Sequence, residues 1–88
     1  MFLQKMNEPR ECIEITNRFF KAIEELKSMK RIRGLKTFAT LYEINQGNLQ
    51  TTKTNNKRIK QEWLNYLVTD FNVSAHWLLT GRGKMFVE

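Results

Sequence analysis

The chain contains a single cysteine, Cys12, and a single histidine, His76. One cysteine cannot form a disulfide within the chain, and two such residues are too few to build a cysteine or histidine metal site. We therefore expect no metal ion, and we interpret His76 as a surface or structural residue. A chain without disulfides is typical of a reducing compartment, so the sequence predicts a cytoplasmic protein.

Long apolar runs and catalytic motifs are also missing. No segment approaches the roughly 20 apolar residues that span a bilayer, and the first residues lack the apolar run of a signal peptide. Asp70 is the sole aspartate, Ser28 and Ser74 are the only serines, and nothing resembles a phosphate loop or a nucleophile elbow. The sequence thus predicts no enzyme, no membrane partner, no cofactor and no small-molecule substrate.

The composition is that of one small basic domain. The chain has 88 residues, of which 41% are hydrophobic and 27% charged, and its net charge is +6. Residues 27 to 60 hold nine basic residues and one acidic residue, Glu43, a net charge of +8. The nine are Lys27, Lys30, Arg31, Arg33, Lys36, Lys53, Lys57, Arg58 and Lys60. Positive charge concentrated in one segment favours a polyanionic partner.

The start of the chain differs in pattern from the rest. Residues 1 to 14 include the only proline, and we interpret them as an N-terminal arm, with residues 15 to 86 forming the folded domain. Thr16 is expected to cap the first amphipathic helix, which ends before Gly34.

Four shorter helices are predicted after it, so the fold class is all-α with five helices. The second covers residues 35 to 42, and the third begins near Gln46 and ends near Lys53. The fourth buries one face at helical spacing, formed by Ile59, Trp63, Tyr66, Leu67 and Phe71. The fifth, "AHWLLT", is capped by Ser74 and ended by Gly81 in a left-handed conformation.

The second and third helices match the spacing of a helix-turn-helix motif. Large residues that would pack the pair against the first helix recur at Phe38, Tyr42, Ile44 and Leu49. Ala39 is small enough to let the third helix cross closely, while Thr52 is a weaker fit to the buried pattern.

With Leu49 and Thr52 facing inward, the third helix presents polar side chains outward. These are Gln46, Asn48, Gln50, Thr51 and Lys53, with Gly47 and Thr54 between them. Asn and Gln can pair with adenine, Thr can contact a thymine methyl group, and Lys can reach guanine or phosphate. An acidic residue would be repelled by phosphates, and this helix has none, so we expect it to contact base edges in double-stranded DNA.

Basic residues lie on both sides of this segment. Arg31, Arg33 and Lys36 precede or begin the second helix, and Lys57, Arg58 and Lys60 follow the third. They are placed to contact the sugar-phosphate backbone on either side of the major groove.

Two strings, "FATLYEINQGNL" and "VSAHWLLTGRGKMF", resemble the DNA-binding domains of phage-repressor-like helix-turn-helix regulators, the lambda repressor/Cro-like or XRE-type family. The resemblance covers roughly residues 15 to 86 and implies a five-helix lambda-repressor-like domain that often binds DNA as a homodimer. It implies major-groove contacts by Gln46, Asn48, Gln50, Thr51 and Lys53. It implies phosphate contacts by Asn55, Asn56, Lys57 and Arg58, and a core closed by Trp77, Leu78 and Leu79.

Two positions depart from that family. Glu43 stands in the turn where the family usually has glycine, and a left-handed conformation there would cost about 1 kcal/mol or more relative to glycine. We therefore expect Glu43→Gly to raise thermal stability. Leu35 stands where members often have a phosphate-binding glutamine, so one expected DNA contact is missing.

Two functions remain open from the sequence. The first is a sequence-specific regulator of transcription, of the phage or mobile-element repressor type, that acts by occupying an operator. The alternative is a protein-interaction module, such as an adaptor or antirepressor, that keeps the helix-turn-helix shape without sequence-specific DNA binding.

Overall fold

The computed structural model describes residues 9 to 87 and confirms an all-α fold with five helices. The helices are α1 (Arg10–Ser28), α2 (Leu35–Leu41), α3 (Gln46–Thr54), α4 (Gln61–Phe71) and α5 (Ala75–Thr80). Residues 9 to 87 contain no strand, and an isolated antiparallel bridge joins Val73 to Phe86. No helix within these residues is long and apolar enough to cross a membrane.

The start of α1 differs from the prediction. The helix begins directly after Pro9, whose carbonyl accepts the first helical hydrogen bonds, with lengths of 3.0 and 3.1 Å. Proline is compatible with this position because its fixed φ suits helix entry and its missing N–H has no helical partner there. The predicted cap at Thr16 is therefore wrong, and residues 10 to 14 are helical rather than an irregular arm. Residues 1 to 8 lie outside the described part of the chain, so an arm there stays a prediction.

The core lies between α1 and the four shorter helices. The largest side chains with less than 2% exposure include Phe19, Ile23 and Leu26 from α1, Phe38 from α2, Leu49 from α3, Leu67 from α4 and Leu78 from α5. The rings of Phe19 and Phe38 meet edge to face, with centroids 5.6 Å apart, which is a favourable arrangement for aromatic pairs. Every helix therefore contributes to one apolar core.

The ends of α4 and α5 follow local sequence signals. Ile59 is predicted to lie on the buried face of the fourth helix. It is buried, but it lies in the segment between α3 and α4, before α4 begins at Gln61. The side chain of Ser74 accepts a hydrogen bond from the Trp77 N–H over 3.1 Å, which confirms the predicted cap of α5. Gly81 ends that helix with φ of 79°, which confirms the predicted left-handed residue.

Arg18 of α1 forms hydrogen bonds that connect α1 to α5. The guanidinium of Arg18 donates from Nε to the Leu78 carbonyl over 2.7 Å and from Nη2 to the Leu79 carbonyl over 3.1 Å. Carbonyls in the last turn of a helix lack intrahelical partners and carry partial negative charge. Arg18 thus supplies hydrogen-bond donors to the carbonyls at the end of α5. Local sequence patterns do not reveal this contact, because the partners are far apart in the sequence.

Candidate nucleic-acid interface

Two inward side chains and a cap set the orientation of α3. Leu49 is fully buried, and Thr52 is 7% exposed. The Thr52 hydroxyl donates to the Asn48 carbonyl over 2.8 Å, so burying it leaves no polar group unpaired and explains how threonine fits this position. At the start of the helix, the side chain of Asn45 accepts a hydrogen bond from the Asn48 N–H over 3.0 Å.

The turn between α2 and α3 has the hydrogen bonds of a Schellman motif. The Ile44 N–H donates to the Ala39 carbonyl over 2.8 Å, and the Glu43 N–H donates to the Thr40 carbonyl over 3.4 Å. This motif places one residue in the left-handed region, and that residue is Glu43, with φ of 55°. The left-handed geometry expected at Glu43 is therefore present, and a non-glycine residue holds it.

Tyr42, the residue before Glu43, anchors the turn to α4. Its hydroxyl donates to Oδ2 of Asp70 over 2.5 Å, and its ring stacks on that of Tyr66 with centroids 3.9 Å apart. The pKa of the Tyr42 hydroxyl is raised well above its usual value of 10. Burial is the larger cause, and the hydrogen bond to Asp70 is the next. The hydroxyl therefore stays protonated, and available as a donor, at neutral and moderately alkaline pH.

The outward face of α3 is polar along its whole length. The five predicted base-contacting side chains are all exposed: Gln46, Asn48, Gln50, Thr51 and Lys53. Leu49 and Thr52 are the buried residues of this helix, so the predicted division into inward and outward positions is confirmed. Since an α-helix turns about 100° per residue, Gln46 and Asn48 emerge on nearly opposite sides of it.

On the Gln46 side lies an open groove of about 890 Å³, which we call the α1–α2 groove. It is lined by the end of α1, the following loop, α2 and Gln46, and its basic side chains are Lys27, Lys30, Arg31, Arg33 and Lys36. None of the described residues that line it is acidic. The predicted phosphate contacts Arg33 and Lys36 thus line the same groove as Gln46, the first residue of α3.

On the Asn48 side lies a smaller groove of about 220 Å³, which we call the α3–α4 groove. Its lining joins Asn48 and Thr51 to Lys57, Arg58 and Lys60. Two predicted base contacts and two predicted phosphate contacts therefore share one concave surface. Four other predicted residues, Gln50, Lys53, Asn55 and Asn56, are exposed on α3 or in the turn that follows it but line neither groove.

In the part of the chain that the structure describes, most of the basic residues between residues 27 and 60 have no acidic partner within 4 Å. Leaving Arg58 aside, residues 9 to 87 form one ion pair, in which Nε of Arg10 lies 3.7 Å from Oε2 of Glu14 on the surface of α1. Two basic side chains instead contact the aromatic core: Arg31 lies 5.7 Å from the Phe71 ring centroid and Lys60 lies 5.7 Å from that of Trp63. Arg31 thus has a contact within the fold in addition to its predicted contact with phosphate, which stays a prediction.

A buried hydroxyl fixes the chain after α3, and the sequence pattern did not reveal it. The Thr16 side chain is 1% exposed and lies 2.6 Å from the Lys57 carbonyl and 3.0 Å from the Cys12 carbonyl. The contact with the Lys57 carbonyl holds the backbone that presents Lys57 to the α3–α4 groove. A threonine on the inward face of a helix indicates a buried hydroxyl that needs a partner. The sequence does not identify that partner, because Lys57 is distant from Thr16 along the chain.

Comparison of this chain with known protein families, curated proteins and solved structures finds no significant match. The class supported by the fold is a five-helix all-α domain. Its distinguishing feature is α3, whose exposed face is polar and which has a groove lined by basic side chains on each side. Among residues 9 to 87, no group of three or more His, Cys, Asp or Glu residues is arranged to hold a metal ion.

Proposed function

We propose that this protein is a sequence-specific DNA-binding regulator of transcription with a lambda-repressor-like helix-turn-helix, acting as a repressor by occupying an operator. In this proposal α3 enters the major groove of double-stranded DNA. Gln46, Asn48, Gln50, Thr51 and Lys53 are the base-contacting residues. The phosphate-contacting residues are Arg33, Lys36, Asn55, Asn56, Lys57 and Arg58.

The observation that carries the proposal is the combination of α3 with its two grooves. A helix that binds a protein partner usually presents an apolar stripe, whereas every outward side chain of α3 is polar or basic. Duplex DNA presents base edges between two phosphate strands, and the grooves on the two sides of α3 supply positive charge where those strands would lie. The surface therefore complements double-stranded DNA in both chemistry and arrangement.

The proposal is tested by selecting duplexes from a random pool with the purified protein. The affinities of the selected duplexes and of a scrambled duplex are then measured at two salt concentrations, because phosphate contacts make affinity salt-dependent. A recurrent motif that binds at least a thousandfold more tightly than the scrambled duplex is the expected result, since specific sites typically exceed non-specific ones by about 10³ or more. Equal affinity for all duplexes would refute sequence-specific binding.

An apolar groove between α4 and α5 supports a protein contact as well. It encloses about 390 Å³, and its apolar lining includes Leu64, Val68 and Leu79, the last 55% exposed. This surface favours either a homodimer of the DNA-binding form or the alternative function, a protein-interaction module. The molar mass measured by light scattering, alone and with the selected duplex, separates a dimer from a monomer. A selection that yields no motif would favour the interaction module.

A further inference from the structure

Two lysines of the α1–α2 groove have no role in the function proposed above. Lys27 lies in the last turn of α1, and Lys30 follows two residues after the helix ends. Both are exposed and line the groove together with Arg33 and Lys36. In the described residues no carboxylate lies within 4 Å of these four side chains. Uncompensated positive charge along a concave surface raises the local potential and attracts anions.

Lys30 also occupies a backbone position that disfavours it. Its φ is 63°, because α1 ends in a Schellman motif in which the Lys30 N–H donates to the Lys27 carbonyl over 3.0 Å. Glycine or asparagine suits this left-handed position better than lysine, which pays a conformational cost there. Residues held in such conformations are enriched at functional sites, so a lysine here points to a use for its charge.

The groove is continuous with the surface assigned to DNA. Gln46 forms part of its lining, so the groove begins at the first residue of α3 and extends away from it toward the end of α1. A duplex with α3 in its major groove continues beyond the base pairs that α3 contacts, and its phosphate strand on the Gln46 side would run toward the lysines. The ligand chemistry that fits the groove is therefore a row of phosphate groups.

Resting on the proposed function, we propose that Lys27 and Lys30 form a phosphate-binding site for the DNA backbone that flanks the base pairs contacted by α3, on the side of the α1–α2 groove. The site lengthens the DNA footprint without contacting additional bases. It adds affinity for every sequence, because phosphate contacts carry little sequence information.

The test compares Lys27→Ala/Lys30→Ala with a control that removes the same charge elsewhere, Lys21→Ala/Lys84→Ala. Each protein binds a series of duplexes in which the selected motif is extended by a few base pairs on one side or on the other. The wild type and the control should gain affinity, at least threefold, from extension on the side of the α1–α2 groove, which is one end of the motif for a monomer and both ends for a homodimer on an inverted repeat. The Lys27/Lys30 variant should show no such gain, and the slope of log affinity against log salt should be shallower by about 1.8 for two lost phosphate contacts. An unchanged gain and slope in this variant would overturn the proposal.

A second variant separates lost binding from lost folding. Lys30→Gly removes the lysine and relieves the left-handed strain, so its melting temperature should rise while its affinity for the extended duplex falls at least threefold. No unfolding defect can produce that combination. Wild-type affinity for the extended duplex in Lys30→Gly would contradict the role assigned to Lys30.

Free phosphate is the other source of the same chemistry, and tripolyphosphate at matched ionic strength is the probe for it. If tripolyphosphate stabilises the wild type but not the Lys27/Lys30 variant, and flanking DNA adds no affinity, the groove binds a free anion and the DNA assignment is overturned. Failure of the wild type to select any motif would instead refute the proposed function. A selected motif with flank-independent affinity would refute only the present inference.

Discussion

Replacing Glu43 with glycine is expected to stabilise the fold. Glu43 holds φ of 55° in the turn between α2 and α3, where the N–H groups of residues 43 and 44 close the Schellman motif. The left-handed region brings the Cβ of an L-residue too close to the neighbouring carbonyl oxygen, and glycine has no Cβ. The substitution therefore removes strain and leaves both hydrogen bonds in place, because they are made by the backbone.

The expected gain is the difference between two opposing effects. Relief of the left-handed conformation stabilises the folded state by about 1–2 kcal/mol. Glycine also increases the conformational freedom of the unfolded chain, which offsets about 0.4–1 kcal/mol of that gain. A net stabilisation of roughly 0.5–1 kcal/mol corresponds to a rise in melting temperature of about 2–8 °C for a domain of this size.

Thermal unfolding followed by circular dichroism measures this rise, and Glu43→Ala is the matched control. Alanine removes the same charge but keeps Cβ, so the control should melt close to the wild type. Both variants remove the one acidic residue between residues 27 and 60, so both should bind every duplex more tightly than the wild type. If Glu43→Gly melts no higher than Glu43→Ala, the strain assigned to this turn does not exist.

Four further predictions concern contacts that stabilise the fold or form the candidate interface. Thr16→Val should lower the free energy of unfolding by about 1–3 kcal/mol in urea titrations, because the partly buried Lys57 carbonyl loses its donor. Thr40→Val, on an exposed face, should change it by less than about 0.5 kcal/mol. Arg18→Met should cost about 1–3 kcal/mol by the same assay, since the carboxyl end of α5 loses two charged hydrogen bonds, and wild-type stability would contradict that role. Asn48→Ala should weaken binding to the selected duplex by about 1–3 kcal/mol and relax the choice of one base pair. Lys57→Ala should instead weaken all duplexes and reduce the salt slope by about 0.9, and equal losses for both variants on every sequence would refute this division.

The sequence predicted the elements whose signals are local. A helix between Ser74 and Gly81 follows from a capping hydroxyl at one end and a left-handed glycine at the other, and both are present. The inward and outward sides of α3 follow from helical spacing once Leu49 is placed in the core. These predictions succeeded because each depends on residues within a few positions of one another.

The parts that the sequence did not predict depend on distant partners or on backbone strain. Thr16 looked like a helix cap because threonine is common at caps, whereas its hydroxyl reaches the Lys57 carbonyl in the segment that follows α3. The charge pattern places Arg31 beside the predicted DNA backbone but does not reveal that its guanidinium lies over the ring of Phe71. The left-handed conformation of Lys30 has no sequence signature, because lysine is a poor residue for it. Each depends on the packed fold, which local patterns do not contain.

The most direct test of the central claim is the nuclear magnetic resonance of the side-chain amides on α3. Asn48 and Gln50 are exposed, and their NH₂ groups are the donors expected to pair with bases. On titration with the selected duplex, both NH₂ resonances should shift strongly, whereas a scrambled duplex should mainly shift backbone signals around the two grooves. Unchanged Asn48 and Gln50 resonances with the selected duplex, together with shifts at the groove between α4 and α5, would contradict the account.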